Sequence, residues 1–147
     1  PLACHFRLAA DRGAQMGLPE MDLGSVPAWG GSARLPRAVG RTHALDMILR
    51  GLKIDGEHAY RIGLVSELVP LAELKARAQA LGEEIAAQPR QAVKSMLDVV
   101  VGFETKTLAE SLADEGAAVT ASRGSANSLE GMQAFMEKRK PVFNQDL

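Results

Sequence analysis

The sequence is poor in the residues that form covalent and metal cross-links. It has a single cysteine, Cys4, so no internal disulfide can form. The three histidines, His5, His43 and His58, lie far apart along the chain and have no metal-ligand spacing. We therefore predict neither a disulfide framework nor a metal site, and we interpret the histidines as surface residues of helices and strands.

The sequence also lacks an excess of charge of one sign, and it has few aromatic side chains. Lys and Arg number 17 against 18 Asp and Glu, a net charge of −1, and aromatic residues make up 4%. Proteins that bind nucleic acid or anionic membranes usually have a basic surface, and bases of single strands stack on aromatic side chains. We therefore predict no nucleic-acid partner and no membrane partner.

Long apolar runs are missing as well. None approaches the roughly 18 to 20 residues that span a bilayer. The first residues, "PLACHFRLAADRG", have no basic region, apolar core and cleavage site of a signal peptide. We therefore expect a soluble, cytoplasmic protein.

The composition that is present, 147 residues with 46% hydrophobic side chains, fits an ordinary globular domain. The chain begins with Pro1, and "ACHFRLAA" resembles one strand of a larger sheet. Little strand signal follows it, only a short extended piece at "AQMGL" and the segment "LVSELV". A lone strand leaves its backbone groups unpaired. We therefore expect that a segment holding most of the sheet precedes Pro1.

Helical patterns dominate the rest of the sequence. "SARLPRAVG" and "THALDMILRG" predict two short helices that meet at Gly40, and Asp55 is placed to cap a third. From Pro70 onward, apolar residues recur at spacings of three and four, which predicts helices that each bury one face. These stripes comprise Leu74, Ala78, Leu81 and Ile85; Val93, Met96, Leu97 and Val100; Leu112 and Val119; and Leu129, Met132, Phe135 and Met136.

The stretch "GLPEMDLGSVPAWGG" contains the first candidate for chemistry, Glu20. A carboxylate that transfers protons must reach the reacting atom, and an apolar wall favours its protonated form. Leu18, Met21, Leu23 and Val26 are placed to supply that wall. From these residues alone, the alternative is a solvated charge beside a turn.

Two further features are candidates for binding. The Ala28-Trp29-Gly30-Gly31 loop leads into a helix, and small residues there allow backbone N–H groups to approach a ligand. No phosphate-binding glycine motif is present. The basic residues Lys138, Arg139 and Lys140 could meet a phosphorylated ligand, or they could simply stabilise a helix C-terminus.

Together these residues resemble the crotonase superfamily of enoyl-CoA hydratases and isomerases. The resemblance rests on the pattern P-E-x-x-L-G-x-x-P-x-x-G-G-x-x-R-L-x-R-x-x-G, on "GLVSELVP" and on the terminal "EGMQAFMEKRKPVF". It implies an α/β fold in which residues 1–69 are the later part of a ββα spiral core and residues 70–147 are a helical trimerisation region that contacts CoA. It also implies that the chain is similar to the C-terminal half to three-fifths of such an enzyme.

The resemblance implies a reaction and a set of site residues. Glu20 matches the family's second catalytic glutamate, which gives a proton to the α-carbon when water adds to an enoyl-CoA double bond. Phe135 and Lys138 match positions near the adenine and phosphate end of CoA. The family's first glutamate and oxyanion donors would lie before Pro1, so the chain alone is expected to lack part of the catalytic apparatus. No cofactor is implied beyond the CoA thioester substrate, and a homotrimer or dimer of trimers is implied.

Ala28 departs from the family pattern. Hydratases have a glycine there whose N–H contacts the catalytic water, whereas dienoyl-CoA isomerases and aryl-CoA dehalogenases have an aspartate. Ala28 keeps the N–H without a carboxylate, which favours hydration, and Gly30 and Trp29 would shape the acyl pocket. A Δ3,Δ2-enoyl-CoA isomerase and a non-catalytic acyl-CoA-binding or assembly protein remain the alternatives.

Overall fold

The computed structural model describes residues 1–145, and the chain divides into two units, Pro1–Gln79 and Ala80 onward. The first unit holds the strands and the second is helical. The boundary predicted from the sequence lies earlier, between residues 69 and 70. Residues 146 and 147 of the predicted helical region lie outside the described residues.

Two short strands form the sheet of the first unit. β1 (Leu8–Ala10) pairs in parallel with β2 (Glu67–Val69), with Ala9 opposite Leu68. The strand predicted over "ACHFRLAA" is therefore confirmed only in its last three residues, because the residues before Leu8 have no β partner among those described. The short extended piece around Met16 makes a single antiparallel bridge to Ile54.

The two helices predicted between residues 32 and 51 are confirmed as two halves of α1 (Gly31–Leu49). The break lies at Gly40, whose φ of 77° and ψ of 162° are not helical. A left-handed φ of this kind is readily adopted only by glycine. Four side chains of α1 are buried: Leu35, Val39, Ala44 and Met47.

The predicted third helix is α2 (Gly56–Arg61), and the Asp55 side chain caps it by accepting a hydrogen bond from the His58 N–H at 2.8 Å. A Cβ on Gly56 would lie 2.5 Å from the Ala10 carbonyl oxygen, so only glycine allows α2 to approach β1 this closely. The core of this unit consists of Ala9, Leu35, Val39, Ala44, Met47, Ile54, Ala59, Leu64 and Val65.

The remaining helices are α3 (Leu74–Ala86), α4 (Arg90–Gly102), α5 (Leu108–Ser122) and α6 (Ala126–Met136). Short 3₁₀ turns occur at Pro19–Leu23, Leu71–Glu73 and Phe103–Thr105. The predicted capping box is confirmed, because the Thr107 N–H donates to the Glu110 carboxylate at 2.7 Å and the Glu110 N–H donates to the Thr107 hydroxyl at 3.3 Å.

The apolar stripes of these helices are exposed or only half-buried within residues 1–145. Of the residues described in α3 to α6, Ala134 alone is buried. The exposed residues on α4 to α6 and the turn between α4 and α5 include Met96, Val100, Val101, Phe103, Leu108, Leu112, Val119, Leu129, Met132, Phe135 and Met136. Periodicity predicts which face is apolar, but whether a surface covers that face depends on contacts elsewhere.

A search of the described residues finds no helix that is both long and apolar enough to cross a membrane.

Candidate active site

Glu20 is held in the 3₁₀ turn Pro19–Leu23. Pro19 suits the first position of this turn, because its fixed φ matches the turn and its missing N–H would have no partner there. The turn closes at Gly24, which has a φ of 65°, and the Ser25 N–H donates to the Glu20 carbonyl at 3.0 Å. The backbone of Glu20 is therefore fixed at both ends of a single turn.

The Glu20 carboxylate is unusual in its surroundings. The residue is half-buried, its Oε2 atom is buried, and no group within residues 1–145 forms a hydrogen bond with that oxygen. A buried polar atom without a partner is destabilising, and such atoms are rare in native structures. The site therefore has an oxygen placed to meet a group from outside the described residues.

Asp22, two residues later, has a different environment. It is exposed, and its carboxylate lies beside Gly51, where a Cβ would come within 3.4 Å of Oδ1. The two carboxylates of the PEMDL turn therefore differ in burial, and the buried oxygen belongs to the residue that the sequence predicted as catalytic.

The four side chains predicted to form an apolar wall around Glu20 differ in burial. Leu18 is half-buried and packs toward the core, where its Cδ1 would lie 3.4 Å from a Cβ on Gly31. Met21, Leu23 and Val26 are exposed in the described structure. These three side chains therefore add nothing to the core of this unit, and their place in a wall around Glu20 stays a prediction.

The loop after the turn has two successive residues with left-handed backbone. Trp29 has a φ of 51° and is fully exposed, and Gly30 has a φ of 85° at the start of α1. A left-handed φ is uncommon for a bulky residue and typically costs about 1–3 kcal/mol unless its surroundings enforce it. Ala28, before them, is exposed, and its N–H has no acceptor within residues 1–145.

Three hydrogen bonds from the first turn of α1 hold this loop. The Ser32 hydroxyl donates to the Pro27 carbonyl at 2.6 Å, the Gly31 N–H donates to the Ala28 carbonyl at 2.9 Å, and the Arg34 Nη1 donates to the Trp29 carbonyl at 3.1 Å. The sequence reasoning missed Ser32 and Arg34. Arg34 stands within the quoted family pattern, which was the available signal.

Phe135 and Lys138 lie in the second unit, at the end of α6. Phe135 is 85% exposed. Lys138 has a φ of 54° because the helix closes there, with the Arg139 N–H donating to the Ala134 carbonyl at 3.0 Å and the Lys138 N–H to the Phe135 carbonyl at 3.3 Å. The Lys138 side chain is exposed and has no ion pair within residues 1–145.

The basic cluster at residues 138–140 is therefore not uniform. Arg139 forms two hydrogen bonds with the Glu130 carboxylate, at 2.6 and 2.9 Å, and one with Glu137 at 2.6 Å. The Arg139 guanidinium and the Val142 N–H lower the pKa of Glu130 to about 2. Lys138 and Lys140 thus remain as the cations exposed to a ligand, while Arg139 stabilises the segment after α6.

The predicted residues fall into two groups. Glu20, Ala28, Trp29 and Gly30 share one turn and loop of the first unit, and Phe135 and Lys138 share one helix end of the second unit. His43 and His58, far apart in sequence, lie edge to face with ring centroids 6.2 Å apart. No group of three or more His, Cys, Asp or Glu side chains within residues 1–145 is arranged to hold a metal ion.

Comparisons with known proteins are consistent across family, sequence and structure. Residues 1–146 match the family described as enoyl-CoA hydratase/isomerase. The chain is 39% identical over 143 residues to a Bacillus subtilis (strain 168) protein named "Probable enoyl-CoA hydratase", covering 97% of this chain and 55% of that protein. It is 39% identical over 142 residues to a protein of the same description from Mycobacterium leprae (strain TN), with the same coverage.

Solved structures give the same result. A crystal structure of enoyl-CoA hydratase from Bacillus anthracis superposes with a TM-score of 0.90 at 36% identity, covering 97% of this chain and 55% of that one. A Geobacillus kaustophilus HTA426 structure matches with a TM-score of 0.90 at 33% identity. The chain thus spans about half the length of the relatives it matches, and it has their crotonase fold.

Proposed function

The chain belongs to the enoyl-CoA hydratase/isomerase family, and from this we propose that the protein adds water reversibly to a 2-enoyl-CoA thioester. The product would be a 3-hydroxyacyl-CoA, as in the degradation of fatty acids or related acyl-CoA compounds. Because the chain covers 55% of its relatives, the proposal concerns the complete gene product.

The observation that carries the proposal is the buried, unpartnered Oε2 of Glu20. In hydration, the water oxygen bonds to the β-carbon as one of its O–H bonds breaks, and a proton is delivered to the α-carbon as the double bond becomes a single bond. We assign the delivery of that proton to Glu20, because its oxygen is available within the site and its backbone is fixed by the turn. The reverse reaction removes the same proton.

The loop supports hydration over related reactions. The Ala28 N–H is free to contact the water, and alanine supplies no second carboxylate at this position. Gly30 would shape the water and acyl site. Trp29, fully exposed next to these groups, would line the acyl pocket. The reaction would use no cofactor other than the CoA carried by the substrate.

The second unit supports binding of CoA and self-association. Phe135 and Lys138 are exposed on one helix end, where an aromatic ring and a free ammonium suit the adenine and phosphates of CoA. The exposed apolar faces of α4, α5 and α6 need a covering surface. We assign that surface to further copies of the protein, in a homotrimer or dimer of trimers located in the cytoplasm, with no nucleic-acid or membrane partner.

The test is the hydration of crotonyl-CoA, followed as loss of the conjugated thioester. For the complete gene product, we expect Glu20→Gln to reduce kcat by roughly 10²- to 10⁴-fold, the usual contribution of a general acid or base. Asp22→Asn is the matched control, because it removes the exposed carboxylate of the same turn, and we expect nearly full activity.

Product identity separates the alternatives. A 3-hydroxyacyl-CoA supports hydration, whereas a shifted double bond from a 3-enoyl-CoA with no hydration would replace the proposal with a Δ3,Δ2-isomerase. Binding of acyl-CoA without turnover would indicate a non-catalytic protein. A Glu20→Gln protein with the full hydration rate would refute the role of Glu20.

A further inference from the structure

In the loop of residues 24–31, the carbonyl groups of residues 27, 28 and 29 all accept hydrogen bonds from the start of α1. Ser32, Gly31 and Arg34 donate to them in turn. The N–H groups of Ala28, Trp29 and Gly30 have no acceptor within residues 1–145. One end of the helix therefore holds the acceptors of this loop and leaves its donors free.

The direction of a free N–H follows from the carbonyl before it. The peptide bonds of residues 1–145 are all trans, and in a planar trans peptide the C=O and the next N–H point in opposite directions. The Ser32 hydroxyl binds the Pro27 carbonyl and thereby turns the Ala28 N–H away from α1. The bond from Arg34 to Trp29 does the same for the Gly30 N–H.

Gly30 is part of the same arrangement. A Cβ at this position would overlap the Arg34 guanidinium, and the φ of 85° also disfavours any side chain. The guanidinium thus occupies space that only glycine leaves open. It lies beside Gly30 and donates to the Trp29 carbonyl, and the left-handed conformation of this pair needs support from its surroundings.

We propose that Ser32 is a positioning residue that fixes the Ala28 N–H in its direction toward the reacting water, and that Arg34 holds the Trp29–Gly30 backbone that follows it. The inference rests on the proposed function, because only in hydration does the Ala28 N–H contact a reacting water. Donors held in place before the reaction stabilise the transition state without reorganising during it. Neither side chain touches the substrate in this scheme.

The first readout is turnover of the complete gene product. We expect Ser32→Ala to lower kcat about 10- to 100-fold, the cost of a small displacement of a reacting group, with KM within about twofold. Ser32→Thr retains the hydroxyl and should restore the rate. Ser25→Ala is the control, because the Ser25 hydroxyl makes no hydrogen bond within residues 1–145.

The second readout does not depend on activity. Trp29 is the only tryptophan of the 147 residues. In a complete gene product whose tryptophans outside these residues are replaced by phenylalanine, the time-resolved fluorescence anisotropy of Trp29 reports on this loop, and far-UV circular dichroism confirms that each variant is folded. Ser32→Ala and Arg34→Met should increase the amplitude of nanosecond rotation. Arg41→Met, which alters an exposed arginine of the same helix, should not.

The two readouts separate the two claims. If the unaltered protein does not hydrate enoyl-CoA, the proposed function fails, and the anisotropy alone decides whether the two side chains hold the loop. Unchanged rotation in folded Ser32→Ala and Arg34→Met proteins would overturn the proposal. So would faster rotation combined with an unchanged kcat in an active enzyme.

Discussion

The two units of the chain differ in how many of their apolar side chains are buried. The first unit packs nine buried residues from β1, α1, α2 and the segments around them into one core. In the second, Ala134 is the one buried residue among those described in its helices. Apolar side chains of the second unit, such as Leu112 and Met132, therefore remain exposed within residues 1–145.

This difference matches the chemistry assigned to each unit. A strained loop and an unpaired buried carboxylate can persist only on a scaffold that over-determines them, and the first unit has such a scaffold. The helices of the second unit have exposed apolar faces and are linked by hydrogen bonds between polar groups. Exposed apolar faces of this kind are typical of an interaction surface. Four predictions, in order of decreasing effect, test this comparison.

The largest effect is expected in the core of the first unit. Leu35→Ala removes a side chain that is 1% exposed, and the lost burial and the resulting cavity should cost about 2–5 kcal/mol of unfolding free energy. Urea denaturation combined with native-state hydrogen exchange in α1 measures this loss.

The same change in the second unit, Leu112→Ala, removes a side chain that is 56% exposed and should cost no more than about 0.5 kcal/mol of unfolding free energy in dilute solution. Equal costs would disprove the contrast.

The next effect concerns the surface that covers the second unit. Leu112→Asp places a charge on the exposed apolar face of α5. If a further copy covers this face, the change should weaken self-association by roughly 10- to 100-fold, the value of one buried leucine side chain. Sedimentation velocity over a concentration series measures it, and Glu115→Gln, on the same helix, is the control. An unchanged association constant would show that the face is covered by something else.

A smaller effect is expected from the hydrogen bonds that Asn144 forms within the second unit. The Asn144 Oδ1 accepts from the Arg90 N–H at 3.1 Å, at the start of α4, and the Asn144 amide donates to the Gln88 carbonyl at 2.9 Å. Its backbone N–H donates to Asn127 at 2.7 Å. Asn144→Ala removes this cap and should cost about 0.5–2 kcal/mol, seen as faster hydrogen exchange at the start of α4.

A paired variant separates the cap from backbone strain. Asn144 has a φ of 59°, so alanine there is also strained, whereas glycine is not. We expect Asn144→Gly to lose protection at Arg90 as well. Full protection in the glycine variant would assign the effect of alanine to strain alone.

The features predicted correctly from the sequence depend on a few neighbouring residues. Asp55 caps α2, Thr107 and Glu110 form a capping box, and Gly40 breaks α1, and each is specified by side chains within four positions. The crotonase fold follows from the longer motif and is confirmed by the solved structures. The roles of Glu20 and the other candidate residues stay predictions.

The features that were missed depend on contacts between distant segments or on an absent surface. Asn144 reaches α4 across 54 residues, and no local pattern indicates that contact. β1 is shorter than its apolar run because strand length depends on its partner. Arg34 lies only five residues from Trp29, yet their hydrogen bond forms across a backbone that is left-handed at Trp29 and Gly30, and a sequence of Trp-Gly does not specify that conformation.

The smallest effect is a pH dependence at the end of α6. The folded pKa of Glu130, about 2, lies below its ordinary value of 4.5 because Arg139 and the Val142 N–H bind the carboxylate. The folded state therefore binds the proton less readily than the unfolded chain. The stabilisation is fully present above about pH 5, and it is lost as pH falls through 4.5 toward 2.

We expect the Val142 amide to lose protection from hydrogen exchange over that interval. Glu130→Gln should remove the acid transition and show low protection already at pH 7. Glu115→Gln should retain the acid transition and the protection at pH 7. A transition that survives in Glu130→Gln would mean that another carboxylate, with Glu137 the nearest candidate, ties the segment to α6.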